Sequence, residues 1–337
     1  MRRLLGLALL VILGTTAAAG CGEEEGIPIF FQSDRDGNWE IYSIWHDGTM
    51  ETRVTNDPAD NIYPSVSHDG ARVAFIRKEG DLTDIMLLNV GGIEEPQNIT
   101  NGRIGGTVES LAWFPGDEML LLTMSTPDVE EGRPQVYSLP VTGIGADGMG
   151  LETIIQDTTD PDTDAPLIFR NARIKTQGRE IAVAAGPSLD SLDIRLFLAD
   201  TGKFIRKIPQ ETFRTTGGDF EAPGAVEDYP EYDPSGRAVL FQSNVAATTN
   251  EGGMNHIWRV EADGRRPNNR TPDAAYNNTQ PSWTSELDGF TIAFVSDRDG
   301  NNEIYLRSLS GTTVTRLTNN PASDTNPSWL KMAPTES

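Results

Sequence analysis

Two stretches set oxygen donors around a glycine in the same order: Asp34-x-Asp36-Gly37-Asn38-x-Glu40 and Asp297-x-Asp299-Gly300-Asn301-x-Glu303. Carboxylates and an amide at alternate positions are the donor chemistry of a hard cation such as calcium. An EF-hand-type loop, however, is longer and ends on a bidentate Glu. The short span favours turn formation by Asp, Asn and Gly, with Arg35 and Arg298 as local ion partners. The three histidines, His46, His68 and His256, lie far apart in the chain. No His-x-x-x-His pair or carboxylate triad offers a transition-metal site, so no metal is expected. Gly-x-Ser-x-Gly, which would mark a hydrolase nucleophile, is absent. Gly143-x-Gly145-x-x-Gly148 matches a dinucleotide fingerprint in letters only, because a β-like run comes after it where the motif requires a helix. No cofactor is expected.

A second polar set recurs. Asp60-Asn61, Glu227-Asp228, Asn277-Asn278 and Asp324-Thr325-Asn326 each stand just before one of a series of similar tripeptides. Those anchors are Pro64-Ser65-Val66, Leu111-Ala112-Trp113, Ala172-Arg173-Ile174, Pro230-Glu231-Tyr232, Pro281-Ser282-Trp283 and Pro327-Ser328-Trp329. Each of the first five leads through a turn into an apolar strand: Val73 to Ile76, Met119 to Thr123, Ile181 to Ala184, Val239 to Gln242 and Ile292 to Val295. One unit, from Tyr63 to Thr100, reads as four short strands bounded by Asp-Gly and Gly-Gly pairs, which specify tight hairpins. No stretch has a sustained 3.6-residue apolar period, so helix should be scarce. The sixth anchor has nothing after it. Its missing partners lie at the other end, in Ile29-Phe30-Phe31, Glu40 to Ile44 and Thr52-Arg53-Val54, three strands with no anchor before them. The sequence therefore predicts an all-β fold, a six-bladed β-propeller with four-stranded antiparallel blades, one of them closed jointly by N- and C-terminal strands, which removes free sheet edges. Trp113, Trp283 and Trp329 share one repeat position and should pack between blades.

The first motif and the residues after it, through Arg53-Val54-Thr55-Asn56-Asp57-Pro58-Ala59, return as the second motif and Arg316-Leu317-Thr318-Asn319-Asn320-Pro321-Ala322. These units resemble the TolB-type propeller repeat, also called the WD40-like or PD40 repeat, over residues 29–332. The resemblance is strongest in the first and last units and weakest between Thr126 and Gly218. It implies a propeller without the additional α/β domain that precedes the propeller in TolB. Oligogalacturonate lyases, related propellers, coordinate metal largely through histidines, and three scattered histidines are a poor match to that arrangement. In this reading the recurring Asp60, Asn61, Glu227, Asp228, Asn277, Asn278, Asp324 and Asn326 ring one mouth of the central channel as a polar, net-negative rim.

Arg2 and Arg3 precede an apolar run from Leu4 to Leu13 and then small residues, the layout of a secretion signal over residues 1–20. The small residues run up to Cys21, the one cysteine in the chain, with Ala18 where the bacterial lipobox usually has Leu. A lone thiol has no internal disulfide partner, so lipidation is its expected use, followed by a tether over 21–28 and, at the far end, a tail over 333–337. The net charge of −23 disfavours nucleic acid and anionic lipid surfaces as partners. The expected protein is thus an exported, monomeric lipoprotein of the cell envelope, held to the membrane through its lipid alone and binding an envelope protein or glycan at the rim without catalysis. The competing reading is a carbohydrate-active lyase or hydrolase using funnel carboxylates such as Asp60 and Glu227.

Overall fold

A computed structural model describes residues 26–145, 148–155, 158–160, 163–208, 225–245, 253–272, 275–284, 291–309 and 311–329. The signal, Cys21, most of the tether and the tail fall outside the described residues.

The strands assemble as six four-stranded antiparallel sheets. Blade 1 comprises Asp60–Val66, Arg72–Glu79, Leu82–Asn89 and Gln97–Asn98. Blade 2 comprises Thr107–Trp113, Met119–Ser125, Gln135–Pro140 and Glu152–Ile155. Blade 3 comprises Ile168–Ile174, Glu180–Gly186, Asp193–Leu198 and Phe204–Lys207. Blade 4 comprises Glu227–Tyr232, Ala238–Ser243, His256–Glu261 and Asn268–Asn269. Blade 5 comprises Asn278–Thr284, Thr291–Ser296, Glu303–Ser308 and Val314–Arg316. Blade 6 is the split one, with Asp324–Trp329 from the C-terminal side joined to Pro28–Ser33, Glu40–Trp45 and Thr52–Arg53. Among the described residues the only helix is the single 3-10 turn Glu130–Gly132.

The ring closes where the sequence places the joint. Ile29 pairs with Trp329 and Ser33 with Asp324 in an antiparallel ladder, so the two ends of the chain share one sheet and neither leaves an open edge. Hydrophobic packing follows the seams: six clusters each join residues of two neighbouring blades. Trp113, Trp283 and Trp329 lie in three of them and are at most 3% exposed. Each fills the seam to the preceding blade, and the Trp113 indole also donates to Ser65 O at 2.8 Å. Burying an aromatic of this size removes about 150–250 Å² from water, worth about 4–6 kcal/mol at 25 cal/mol/Å².

All six innermost strands break register against their neighbours, as β-bulges. In five of them the residue just before the anchor is left-handed: Tyr63 (φ 54°), Asn171 (50°), Tyr229 (53°), Gln280 (51°) and Asn326 (50°). A non-glycine residue in this region is uncommon, and bulges re-aim side chains. Four of the five precede the proline of an anchor, which has no amide to lose from the ladder. The bulge amides are held from outside the strand: Tyr63 N donates to Gln32 Oε1 of blade 6 at 2.8 Å and Gln280 N to Gln242 Oε1 of blade 4 at 3.1 Å. Repeat residues outside the anchors thereby fix how the axis is lined.

Candidate functional site at the hub

The two Gly-centred motifs fold as hairpin turns, with Gly37 and Gly300 at φ 97° and 101°. Their acids are taken by protein donors. Glu40 accepts from Arg53 Nη2 at 2.8 Å, the Asp57 amide at 3.0 Å and Asn61 Nδ2 at 3.0 Å. Glu303 accepts from Arg316 Nη2 at 2.8 Å, Thr318 Oγ1 at 2.6 Å and the Asn320 amide at 2.9 Å. Tyr42 and Tyr305 donate their hydroxyls to Asp36 and Asp299. The ion partners of the motifs are therefore Arg53 and Arg316, not the adjacent Arg35 and Arg298. Arg35 crosses the Tyr42 ring, 4.3 Å from its centre, and makes its ion pairs with Asp324 at 2.9 Å and Glu51 at 2.6 Å. Arg298 donates to Asn278 Oδ1 at 3.0 Å.

The three histidines stay apart and are each engaged. His46 Nδ1 accepts from the Ile27 amide at 3.1 Å, His68 Nδ1 lies 2.8 Å from Asp117 Oδ1, and His256 Nδ1 donates to Thr271 O at 2.6 Å.

Of the eight expected rim residues, four turn into the blade seams. Asn61, Glu227, Asn278 and Asp324 share the position three before the anchor and are 0% exposed. Val108 and Phe169 hold the same place in blades 2 and 3 and are also buried, so this position faces the packing between blades. Asp60 Oδ1 accepts from the Trp39 amide at 3.0 Å, and Asn277 bonds Asp297 through its amide and side chain at 2.8 Å each. These residues cap strands and couple loops, as short polar side chains do when backbone amides are within reach. Glu227 is the exception in chemistry. One carboxyl oxygen accepts from the Ile194 amide at 3.2 Å, while Oε1 has no partner. Burial, with Asp193 adding to it, pushes its pKa up to about 8.

The hub is lined by other residues, one and two positions before the anchors. Tyr63 of blade 1 and Tyr229 of blade 4, on opposite sides of the ring, meet hydroxyl to hydroxyl at 2.9 Å. Gln280 Nε2 donates to the Tyr229 hydroxyl at 3.3 Å, and Gln280 Oε1 accepts from the Asn326 amide at 2.8 Å. Beside this bridge a cavity of about 30 Å³ remains, room for a water or two and nothing larger. The axis is closed at that level.

Above the bridge, the residues two before the anchors are Ile62, Glu109, Arg170, Asp228, Thr279 and Thr325. Charge is gathered on blades 2, 3 and 4. Arg170 Nε lies 3.6 Å from Asp228 Oδ2 and makes no hydrogen bond. Asp228 Oδ1 accepts from Asn171 Nδ2 and its neighbour's amide at 2.8 Å each, and Glu109 Oε1 accepts from Ser125 Oγ at 3.0 Å. Burial raises the pKa of both Glu109 and Asp228, against the pull of Arg170. Burial works against the Arg170 charge in turn, but Asp228, Tyr229, Tyr63 and Glu109 outweigh it and raise its pKa. Below the bridge Arg173 donates through Nε to Glu231 at 3.0 Å and through Nη1 to Ala172 O at 3.0 Å. Arg170 is thus a cation of the hub with a buried donor to spare, and Asp228 and Asn326 are the expected rim residues that lie on the axis side. Glu109, Arg170 and the two tyrosines were absent from the expected set, although counting back from Leu111, Ala172, Pro64 and Pro230 finds them.

No protein-family model matches the chain. The "Protein TolB homolog" of Chlorobaculum tepidum is 28% identical over 122 residues, 35% of this chain and 25% of that protein, so the match spans about a quarter of the relative. Among solved structures, TolB from Acinetobacter baumannii superposes with a TM-score of 0.65 at 13% identity, over 90% of this chain and 67% of that one. An oligogalacturonate lyase from Vibrio parahaemolyticus gives 0.52 at 15% identity, over 87% and 74%. At such identities the structural likeness establishes the fold and leaves function to the residues.

Proposed function

We propose that this TolB-like six-bladed propeller is a binding module of the bacterial cell envelope, exported, tethered through a lipid on Cys21, and presenting the mouth around Glu109, Arg170 and Asp228 to a protein partner. The observation that carries the reading is the closed hub. Sites that engulf a small substrate enclose about 300–1,000 Å³, whereas the space beside the Tyr63–Tyr229 bridge is about 30 Å³. A charged, rigid surface over a closed hub is suited to docking against another surface. Likeness to a "Tol-Pal system protein TolB" supports a protein over a glycan as the partner.

The test is quantitative capture from solubilised envelope using wild type and the double variant Glu109→Gln, Arg170→Ala. A partner retained by the wild type should be lost with the variant, while both melt alike. A glycan-degrading activity that disappears in Glu109→Gln or Asp228→Asn, with unchanged folding, would establish the enzymatic alternative.

A further inference from the structure

The seam between blades 4 and 5 departs from the others in one respect. In five blades the residue that enters after the outermost strand donates its amide to an isoleucine carbonyl of the third strand. The pairs are Val54 to Ile41 O (2.8 Å), Ile99 to Ile85 O (3.0 Å), Ile208 to Ile194 O (2.8 Å), Leu317 to Ile304 O (2.8 Å) and, in blade 4, Arg270 to Ile257 O (2.7 Å). Four of these residues are aliphatic and the fifth is arginine. Two residues beyond that isoleucine, blades 1, 3 and 5 have Leu87, Leu196 and Leu306, and blade 4 has Arg259. Three residues beyond it, blades 1, 3, 4 and 6 have Leu88, Phe197, Val260 and Ile44, and blade 5 has Arg307.

All three arginines face one another across this seam. Ile257 and Tyr305, which share their sides of the third strands, pack together in the cluster between blades 4 and 5. Arg259 lies 6.0 Å from the centre of the Trp283 ring in that seam, and Arg270 reaches toward Leu309 O of blade 5 at 3.5 Å. The seam holds seven buried apolar residues, against fourteen between blades 1 and 2. Among the described residues no carboxylate pairs with any of the three, although acids outnumber bases fifty to twenty-seven in the chain. The neighbouring Arg266 does have its acid, Glu261 at 3.0 Å. Arg270 Nε is buried without a hydrogen-bond partner. Burial, then the charges of Arg259 and Arg307, pull the Arg270 guanidinium below its ordinary pKa. A half-buried guanidinium with a free donor, flanked by two like charges, needs a counter-anion.

We propose that the outer seam between blades 4 and 5 is a binding site for a multivalent oxyanion of the phosphate class, held by Arg259, Arg270 and Arg307. Guanidinium forks match the oxygens of a tetrahedral anion bidentately. The field of the acidic surface is screened beyond about 8 Å at physiological ionic strength, so at contact the three local charges prevail. The site is on the flank of the wheel, away from the hub, and stands or falls independently of the docking proposed there.

The probe is inorganic phosphate added to the purified full chain. Phosphate at roughly ten times its Kd should raise Tm by about 2–4 °C over chloride at matched ionic strength. Arg270→Leu, which restores the residue type of the other seams, should raise Tm in the absence of phosphate and abolish the phosphate response. Arg307→Gln should weaken phosphate binding, read by calorimetry, by about tenfold. An equal response to phosphate and chloride, or a phosphate response undiminished in Arg270→Leu, would overturn the site. So would a marked fall in Tm of Arg270→Leu without anion. Sedimentation with phosphatidic acid vesicles, set against phosphatidylcholine, separates the two sources: co-sedimentation assigns a lipid headgroup, and phosphate binding without it assigns a soluble anion.

Discussion

Glu227 is a carboxyl in a place where the repeat uses a hydroxyl. In blades 6, 1, 4 and 5 the hydroxyls of Thr55, Thr100, Thr271 and Thr318 accept from the amides of Ile41, Ile85, Ile257 and Ile304 at 2.8, 3.0, 2.8 and 2.9 Å. After Ile208 the sequence has Pro209, which has no hydroxyl, and Glu227 takes the Ile194 amide. Its pKa is near 8 in the fold against 4.5 for the free group, so the folded chain holds a proton that the unfolded chain releases. This contribution to stability is therefore fully present below about pH 4.5, declines as pH rises, and is exhausted above about pH 8. Glu227→Gln should flatten the dependence of Tm on pH across that window, with the largest gain over wild type, of order a few kcal/mol, at pH 8. Superimposable profiles would show the acid to be charged throughout. The polar residues before the anchors were legible from their recurrence, but the side they face was not. Alternation is interrupted by the bulge at Tyr63, Asn171, Tyr229, Gln280 and Asn326, and a one-residue shift exchanges the two faces of a strand. The step that moves Glu227 into a seam and Asp228 to the axis is of this kind.

At the scale of the elements the sequence was far more explicit. Pro64, Pro230, Pro281 and Pro327 mark bulges because a proline withholds its amide, and the last residue of each anchor, Val66, Tyr232, Trp283 or Trp329, marks the seam. The same pattern exposed the split blade, since strands without an anchor at one end and an anchor without strands at the other complete each other. The middle units were harder to read because Leu111 and Ala172 replace the proline, yet their registers conform. The joint of blade 6 carries a direct prediction. Trp329 is 0% exposed and pairs with Ile29, so Trp329→Ala should cost about 3–5 kcal/mol, read as a lower denaturant midpoint with unchanged slope. Removing residues 325–337 should go further and abolish the single cooperative transition, because the ring then reopens along a full strand. A truncated chain that melts as sharply as the intact one would mean that blade 6 is dispensable.

The molecule as a whole is a wheel whose face and flank carry the proposed sites and whose joint closes the ring. The proposed export and lipidation belong to this scale. Cys21→Ser should shift the protein from the membrane fraction to the soluble envelope fraction without altering its melting, and mass spectrometry of the wild type should find acyl chains on Cys21. Each acyl CH₂ contributes about 0.8 kcal/mol to anchoring, so loss of the thiol should release nearly all of the protein. Persistence at the membrane after the substitution would point to a protein contact as the anchor instead.

The strand order of blade 6 has one further consequence. Pro28 lies at the Trp329 end of the shared ladder, and Asp324 lies at the opposite end, beside the mouth. The polypeptide thus joins the wheel from beneath, on the side away from Glu109, Arg170 and Asp228. Under the proposed lipid tether and docking, a leash drawn taut at Gly26 would pull along the axle in the direction opposite to a guest seated on top, so the two loads would be borne in line through the closed ring and neither would block access to the other.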